Sequence, residues 1–166
     1  MSGFEHQRHK APTPLDRPRE LIVACAPMRS NVNLSRIVRA AGCCGIPRVI
    51  ACGAARIDQK IARDGAESVE IEVHRTLPPV LKRLRDEGYQ LVGLEQTSGS
   101  QCLYDFGFER KTALVIGNER LGLEQDVLSL VHHTIEIPVY GLPNAHNAAT
   151  ATAMALYEYC RQFPRG

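Results

Sequence analysis

Two stretches in the last third of the chain decide the fold: ALVIGNERLGL at Ala113–Leu123 and IPVYGLPNAHNAATATAMALYEY at Ile137–Tyr159. The first is an apolar run of strand length that breaks at Gly117 into a polar loop. The second follows a short β-like run, turns at Gly141–Asn144 and continues as an Ala/Thr-rich helix. Because parallel strands bring their carboxyl ends to one edge of a sheet, these two loops are expected to build one pocket.

The composition is that of one globular domain. The chain has 166 residues, 44% hydrophobic residues and a formal net charge of +2, which permits an anionic partner without requiring one. The six cysteines form no CxxC pair, so free thiols in a reducing cytosol are expected, with no disulfide framework and no metal site. No apolar run approaches the roughly 18 residues of a membrane span, and the N-terminal residues lack the apolar core of a signal peptide.

The N-terminal part of the chain predicts a βαβ unit. Leu21–Ala26 is a continuous apolar run, as expected for a strand that is buried on both faces. A helix is predicted at Asn33–Cys44, with Gly45 after its end, because apolar residues recur at helical spacing (Leu34, Ile37, Val38, Ala41). Arg48–Cys52 is the next strand, so these two strands are expected to be parallel.

The rest of the chain continues this alternation. The predicted elements are a weakly alternating strand near an edge at Val69–Val73, a helix at Leu77–Glu87, strands at Gln90–Leu94 and Ala113–Ile116, a helix around Glu124–Leu130, a strand at His133–Ile137 and the final helix. Residues 53–68 give no clear pattern, and residues 98–112 are predicted to be a covering loop. The order predicts an α/β domain with a mostly parallel sheet.

Residues 1–20 are predicted to be a flexible basic tail that precedes one domain at residues 21–166. This segment mixes basic residues, histidines and three prolines. Its composition is typical of a mobile tail, and the alternative is a short basic arm that contacts a phosphate backbone.

Three strand ends carry polar residues: Glu95-Gln96-Thr97, Gly117-Asn118-Glu119, and the segment from Ile137 to Asn147. No GxGxxG follows the first strand, and GxxxxGK[ST] and GxSxG are absent, which argues against dinucleotide-binding, P-loop and α/β-hydrolase sites. The pair His132-His133 adjoins a strand and is not predicted to bind metal. The polar strand ends are therefore the candidate site.

Three segments together resemble the motifs of the SpoU/TrmH family, the SPOUT-class RNA ribose 2′-O-methyltransferases. They are NLSRIVRAAGCCGI at Asn33–Ile46, ALVIGNERLGL at Ala113–Leu123 and the Ile137–Tyr159 segment, in the family's order. The resemblance covers residues 21 to about 162. The run Gly117 to Gly122 and the Glu95–Thr97 loop look most similar to the branch that methylates tRNA.

The resemblance implies the SPOUT fold: an α/β domain with helices on both faces of the sheet and a C-terminal deep trefoil knot. It also implies that the knot binds S-adenosylmethionine in a bent shape and that two subunits pair with each active site at their interface. RNA is the implied partner, with tRNA favoured over ribosomal RNA. Only about 20 residues precede the first strand, so the family's separate N-terminal RNA-binding domain is expected to be absent and the enzyme to be cytoplasmic.

The same resemblance assigns residues to roles. Asn33, Arg39, Glu119 and Asn147 match the catalytic positions of the motifs. The implied cofactor-binding residues are Glu95, Gln96, Thr97, Gly117, Asn118, Ile137, Leu142, Ala145 and His146. The implied RNA-binding residues are Arg29, Arg36, Arg39 and Arg120. The alternatives are structural: Arg39 as a surface residue, Glu119 as a cap of its turn, and Asn147 as the cap of its helix.

Arginine is too basic to be found neutral, so we favour Arg39 as a group that stabilises the developing alkoxide and grips phosphate, over Arg39 as a general base. One departure from the family pattern concerns the third motif, where Ser-Leu-Asn is common and this chain has Ala145-His146-Asn147. Ala149 also replaces a second frequent serine. His146 either substitutes for the lost hydroxyl as a donor or base, or only packs at the knot. The competing functions are a ribosomal RNA 2′-O-methyltransferase and a non-catalytic RNA-binding protein on the same fold.

Overall fold

The computed structural model describes residues 3–166 and contains a central sheet. Its seven strands are β1 (Leu21–Cys25), β2 (Arg48–Cys52), β3 (Glu70–His74), β4 (Gln90–Leu94), β5 (Gln101–Cys102), β6 (Thr112–Ile116) and β7 (His133–Glu136). The helices are α1 (Asn31–Cys43), α2 (Gln59–Ala62), α3 (Gly65–Ser68), α4 (Leu77–Asp86), α5 (Gln125–Leu128) and α6 (Ala148–Gln162).

The strand order in the sheet is β3-β2-β1-β6-β4-β7-β5, and every strand pair is parallel. This confirms the predicted α/β class with its mostly parallel sheet, and β3 lies at an edge as its weak alternation indicated. The chain leaves the β1–β3 half and returns to place β4 and β6 on the other side of β1. β6 therefore lies between β1 and β4, which sets the neighbours of every strand-end loop.

Helices cover both faces of the sheet, as the alternating burial of β1 shows. Leu21 and Val23 pack in a cluster with α1 and α6, whereas Ile22 and Ala24 pack in a second cluster with α4 and α5. All five β1 side chains are buried. A strand with both faces covered must be apolar throughout, which is why its sequence shows a continuous run.

Helix α1 begins two residues earlier than predicted. Ser30 is its N-cap, and the Ser30 side chain accepts a hydrogen bond from the Asn33 backbone N–H at 3.1 Å. The predicted stop was correct, because Gly45 follows the C-cap with φ +67°, a left-handed conformation that glycine adopts without steric cost. Capping by a serine outside the apolar stripe explains the difference at the start.

The two segments without a predicted pattern contain short elements. Residues 53–68 hold α2 and α3, which pack against α1. Gly65 lies so close to α1 that a Cβ there would be 2.9 Å from the Val38 carbonyl oxygen. Residues 98–112 were predicted to be loop, but they contain β5, which pairs with β7, and the first residue of β6. Elements of two to four residues are too short to show a periodicity.

The last residues of the predicted N-terminal tail contact the C-terminal part of the chain. Arg19 is buried and donates hydrogen bonds to the carbonyl oxygens of Cys44 at 2.7 Å and Phe163 at 2.6 Å. The Asp16 backbone N–H donates to the Arg165 carbonyl oxygen. The flexibility expected for the tail stays a prediction only for residues before Asp16, and the first two residues of that tail lie outside the described part of the chain.

All six cysteines are free, as expected. Within residues 3–166, no helix combines the length and the apolar character that crossing a membrane requires.

Candidate functional site

A cavity of about 500 Å³ lies at the carboxyl ends of the neighbouring strands β6, β4 and β7. Three strand-end loops line it, and these are the three polar strand ends that the sequence singled out. Its volume lies within the range of small-molecule sites in proteins. The walls combine apolar side chains such as Ile116, Ile137 and Leu128 with backbone and polar groups.

Most of the predicted cofactor-binding residues line this cavity. Those that do are Glu95, Gln96, Thr97, Gly117, Asn118, Ile137, Ala145 and His146, together with Glu119 and Arg120. Leu142 is not among the lining residues, and its side chain is 93% exposed. Leu142 was assigned from the family resemblance, and its role in cofactor binding stays a prediction.

The loop after β6 folds back tightly on itself. Asn118 and Gly122 pair through two backbone hydrogen bonds, and the Asn118 side chain accepts from the backbone N–H groups of Arg120 and Leu121. A Cβ at Gly117 would lie 2.6 Å from the Leu123 nitrogen, so only glycine fits there. The glycines of this motif therefore shape a wall of the cavity.

The Glu119 carboxylate joins this loop to the loop after β1. It accepts hydrogen bonds from the backbone N–H groups of Arg29 at 2.9 Å and Ser30 at 3.0 Å, and from the Asn33 side-chain amide at 3.3 Å. Burial by itself would raise the pKa of Glu119, but these hydrogen bonds outweigh it and hold the pKa below its ordinary value. The site therefore holds Glu119 as a carboxylate.

Asn33 and Asn147 extend this network to helix α6. The Asn147 side-chain amide donates to the Asn33 side-chain oxygen at 3.0 Å. The Asn147 oxygen accepts from the backbone N–H groups of Ala149 and Thr150, so Asn147 is also the N-cap of α6. The four-residue set proposed as catalytic is thus partly brought together: Glu119, Asn33 and Asn147 form one chain of hydrogen bonds across three motifs.

Arg39 is not part of that chain. It lies six residues beyond Asn33 on α1, is exposed, and is not among the residues that line the cavity. Arg29 and Arg36 are exposed outside the cavity lining, and Arg120 is exposed at the cavity. The predicted RNA-binding arginines are therefore all accessible.

Sequence reasoning missed several residues of the site. Glu136, Leu121 and Val139 also line the cavity. The hydroxyls of Ser100 and Thr134 contact Thr97, at 2.8 and 2.9 Å from its side-chain oxygen. Glu136 had a usable signal, because it is the last residue of β7 and immediately precedes Ile137. Ser100 and Thr134 had none, since single hydroxyl residues in a loop and a strand are common.

Known proteins share both the sequence pattern and the fold. The sequence model of the SpoU rRNA Methylase family matches residues 20–157. The tRNA (guanosine(18)-2′-O)-methyltransferase of Escherichia coli (strain K12) is 28% identical over 149 residues, which cover 88% of this chain and 65% of that protein. This chain therefore spans just under two thirds of the length of that relative.

Two solved structures are similar throughout the domain. The A. aeolicus TrmH/SpoU tRNA modifying enzyme has a TM-score of 0.84 and 27% identity, covering 90% of this chain and 78% of that chain. The SpoU methyltransferase AviRb from Streptomyces viridochromogenes, solved in complex with the cofactor AdoMet, has a TM-score of 0.75 and 29% identity, covering 92% and 64%. Because the family match extends over most of the residues and hydrogen bonds join residues of all three motifs, the chain belongs to the SpoU rRNA Methylase family.

Proposed function

We propose that this protein is an S-adenosylmethionine-dependent RNA 2′-O-ribose methyltransferase. The observation that carries this proposal is the cavity at the β6, β4 and β7 strand ends, lined by residues of the second and third family motifs. The relatives' names support tRNA as the favoured substrate over ribosomal RNA. Six free cysteines support a cytoplasmic location.

The cavity residues fit a cofactor of the size of S-adenosylmethionine. The volume of about 500 Å³ accommodates such a molecule, and Gly117 and Gly122 permit the tight turn that forms one wall of the cavity. When bound, the cofactor supplies a strongly electrophilic methyl group. Ile116, Ile137 and Leu128 provide apolar walls that exclude water.

The protein's own task is alignment of the ribose hydroxyl and stabilisation of its developing negative charge. Arg39 carries a permanent positive charge, and we propose that it stabilises the developing alkoxide and binds a neighbouring phosphate. Glu119, Asn33 and Asn147 hold the N-terminus of α1, the loop after β6 and the N-terminus of α6 together. They fix the helix on which Arg39 lies.

RNA binding is assigned to the exposed arginines Arg29, Arg36, Arg39 and Arg120. Arginine forks pair well with phosphate oxygens, and such contacts weaken as salt rises. A homodimer through α1 and α6 is part of the proposal. Its support is the apolar character of exposed side chains on these helices, Val32, Met154 and Tyr157. The partner subunit would bring Arg39 to a cavity whose lining lacks it.

The C-terminal deep trefoil knot is proposed on the same basis. It is supported by the match to the SpoU rRNA Methylase family, because the family resemblance implies this knot. In such a knot, the loop that carries Ala145 and His146 would be held close to the loop after β6. The buried small residues Ala149, Thr152 and Ala155 of α6 suit close packing there.

Two measurements test the enzyme. Isothermal titration with S-adenosylhomocysteine should show binding, and no binding at millimolar ligand would refute the assignment. Transfer of a labelled methyl group to tRNA and to ribosomal RNA, followed by mapping of ribose-methylated nucleotides, should favour tRNA. Transfer to ribosomal RNA alone would show that ribosomal RNA, and not tRNA, is the substrate.

A non-catalytic RNA-binding protein is the second candidate, because Ala145 and His146 replace the Ser-Leu pair of the third motif. His146 is exposed and lines the cavity, so its imidazole is available as a hydrogen-bond donor. Comparison of methyl transfer by His146→Ala and by the unmodified enzyme over about pH 6 to 9 shows whether His146 takes part in the reaction. A changed pH profile supports participation, and an unchanged profile assigns His146 to packing.

A further inference from the structure

The three residues after β4, Glu95-Gln96-Thr97, contact three different elements around the cavity. The Glu95 carboxylate accepts a hydrogen bond from the Leu123 backbone N–H at 2.8 Å. The Gln96 side chain donates to the Asn144 carbonyl oxygen at 3.3 Å. The Thr97 side-chain oxygen contacts the hydroxyls of Ser100 and Thr134. The segment therefore lies at the junction of the other two cavity loops.

Both carboxylate oxygens of Glu95 are occupied by the protein backbone. One accepts from Leu123, and the other accepts from the Gln96 backbone N–H at 3.2 Å. The approach is so close that a Cβ at Gly122 would collide with the Glu95 carboxylate, and Gly122 also has φ +66°. The second glycine of the motif thus answers two requirements, a left-handed backbone and room for Glu95.

The same strand secures the Leu123 side chain. A Cβ at Gly93 would lie 2.8 Å from the Leu123 Cδ1 atom, so Gly93 provides the space that the buried Leu123 side chain fills. Gly93 lies on β4, and Glu95 follows the end of β4 two residues later. The Leu123 side chain therefore packs on β4, and the Leu123 backbone is held by the residue that follows β4.

Glu95 is itself held rigidly. Its backbone N–H donates to the Ile135 carbonyl oxygen at 3.0 Å, in the pairing of β4 with β7. Its carbonyl oxygen accepts from the Ser100 hydroxyl at 2.6 Å. A group whose backbone is fixed on both sides can fix the loop to which its side chain bonds.

We propose that Glu95, although it lies in the cavity lining, is a positioning residue that sets the conformation of the Gly117–Leu123 loop through its hydrogen bond to the Leu123 backbone. This inference rests on the proposed function, because the loop matters as a wall of the cofactor site. It changes the role implied by the family resemblance, in which Glu95 was a cofactor-binding residue. Its chemistry is the acceptance of two backbone N–H groups by one carboxylate.

Hydrogen exchange at the Leu123 amide tests the contact without any ligand. Glu95→Ala should increase the exchange rate of this amide by about tenfold or more, because its acceptor is removed. Glu95→Gln retains one oxygen acceptor and should give a smaller increase. Gln96→Ala is the matched control and should leave Leu123 exchange unchanged. Unchanged Leu123 exchange in Glu95→Ala, with circular dichroism showing a folded protein, would overturn the proposal.

Ligand titration separates positioning from direct contact. Glu95→Ala should bind S-adenosylhomocysteine about 10-fold to 100-fold more weakly, and the 2′,3′-dideoxy analogue more weakly by the same factor, because a displaced loop affects both. A loss seen only with S-adenosylhomocysteine would show that Glu95 contacts the ribose hydroxyls and would refute the positioning role. If the unmodified protein bound neither ligand, the proposed function would fail, and the exchange result would still decide the inference.

A double-mutant cycle gives a third readout. When Glu95 is present, Gly122→Ala should weaken S-adenosylhomocysteine binding strongly, since the added Cβ meets the Glu95 carboxylate. In a Glu95→Ala background the same change should weaken it less, because only the backbone conformation then opposes alanine. Additive losses in the two single variants would contradict the proposed contact.

Discussion

Two carboxylates at neighbouring strand ends use the same device for different purposes. Glu119 follows β6 and reaches the loop after β1, whereas Glu95 follows β4 and reaches the loop after β6. Glu119 accepts two backbone N–H groups from an adjacent strand's loop, and Glu95 accepts one. Glu119 also bonds a side chain, Asn33, and through it Asn147, so its network extends to two helices. Glu95 bonds backbone alone.

The two carboxylates therefore have different structural roles at the same edge of the sheet. The Glu119 network connects the N-termini of α1 and α6, and α1 carries the arginine to which we assign the chemistry. The Glu95 contact fixes the shape of a cavity wall. Loss of the first should therefore affect methyl transfer and stability together, whereas loss of the second should affect small-molecule binding.

The largest effect on methyl transfer is expected when Arg39 is replaced and the hydrogen bonds of Glu119 and Glu95 are left intact. Arg39→Ala should lower methyl transfer by about 10³-fold, as loss of a group that stabilises transition-state charge does. Affinity for S-adenosylhomocysteine should stay within about twofold, since we assign Arg39 to the RNA hydroxyl and phosphate and it lies outside the cavity lining of its own subunit. Arg85→Ala, an exposed arginine on α4, is the matched control and should keep full activity. Transfer at the unmodified rate would remove Arg39 from the mechanism.

The loop between the two carboxylates can be broken directly. Gly117→Ala should lower the free energy of unfolding by about 3 kcal/mol, because its Cβ would collide with the Gly122–Leu123 backbone. Urea denaturation measures the change. Gly99→Ala is the control, since a Cβ at Gly99 meets no atom within 4 Å, and it should change stability by less than about 0.5 kcal/mol. Equal stabilities for the two variants would contradict the described loop geometry.

The charge of Glu119 should produce a pH-dependent contribution. Its folded-state pKa is lowered, so the stabilisation is present above the ordinary pKa of 4.5 and is lost as pH falls through the folded-state value. Glu119→Gln should cost about 2 kcal/mol at pH 7, as expected for hydrogen bonds to a charged group. Urea denaturation at falling pH should show the unmodified protein and the variant converging. A stability difference between the two proteins that grows as pH falls would contradict the lowered pKa of Glu119.

The smallest effect is expected at the far end of the Glu119 network. Asn147→Ala removes the N-cap of α6 and should cost about 1 kcal/mol of stability. Asn147→Asp retains a capping oxygen but loses the amide that donates to Asn33, so it should restore most of the stability and leave methyl transfer impaired. Full recovery of both properties in Asn147→Asp would reduce Asn147 to a helix cap.

The predicted and observed sites agree where the signal was local. The apolar runs of β1, β2, β4 and β6 predicted the parallel sheet, and Gly45 follows the end of its helix with positive φ as expected. The three polar strand ends met at one cavity, because parallel strands end at one edge. The cofactor role of the predicted site residues stays a prediction. Leu142 lies outside the cavity lining, and Glu95 lines the cavity while its carboxylate also accepts hydrogen bonds from the backbone.

What the sequence alone determined is the longer helices and strands and the family resemblance, because strand burial, helix stops and glycine loops depend on neighbouring residues. What only the tertiary structure decided is which loop each carboxylate holds. Glu119 contacts residues 86 to 90 positions away, and Glu95 contacts Leu123 28 positions away. Those partners follow from the insertion of β6 between β1 and β4. The order of strands in a sheet is set by the packing of the whole chain, so no local pattern could supply it.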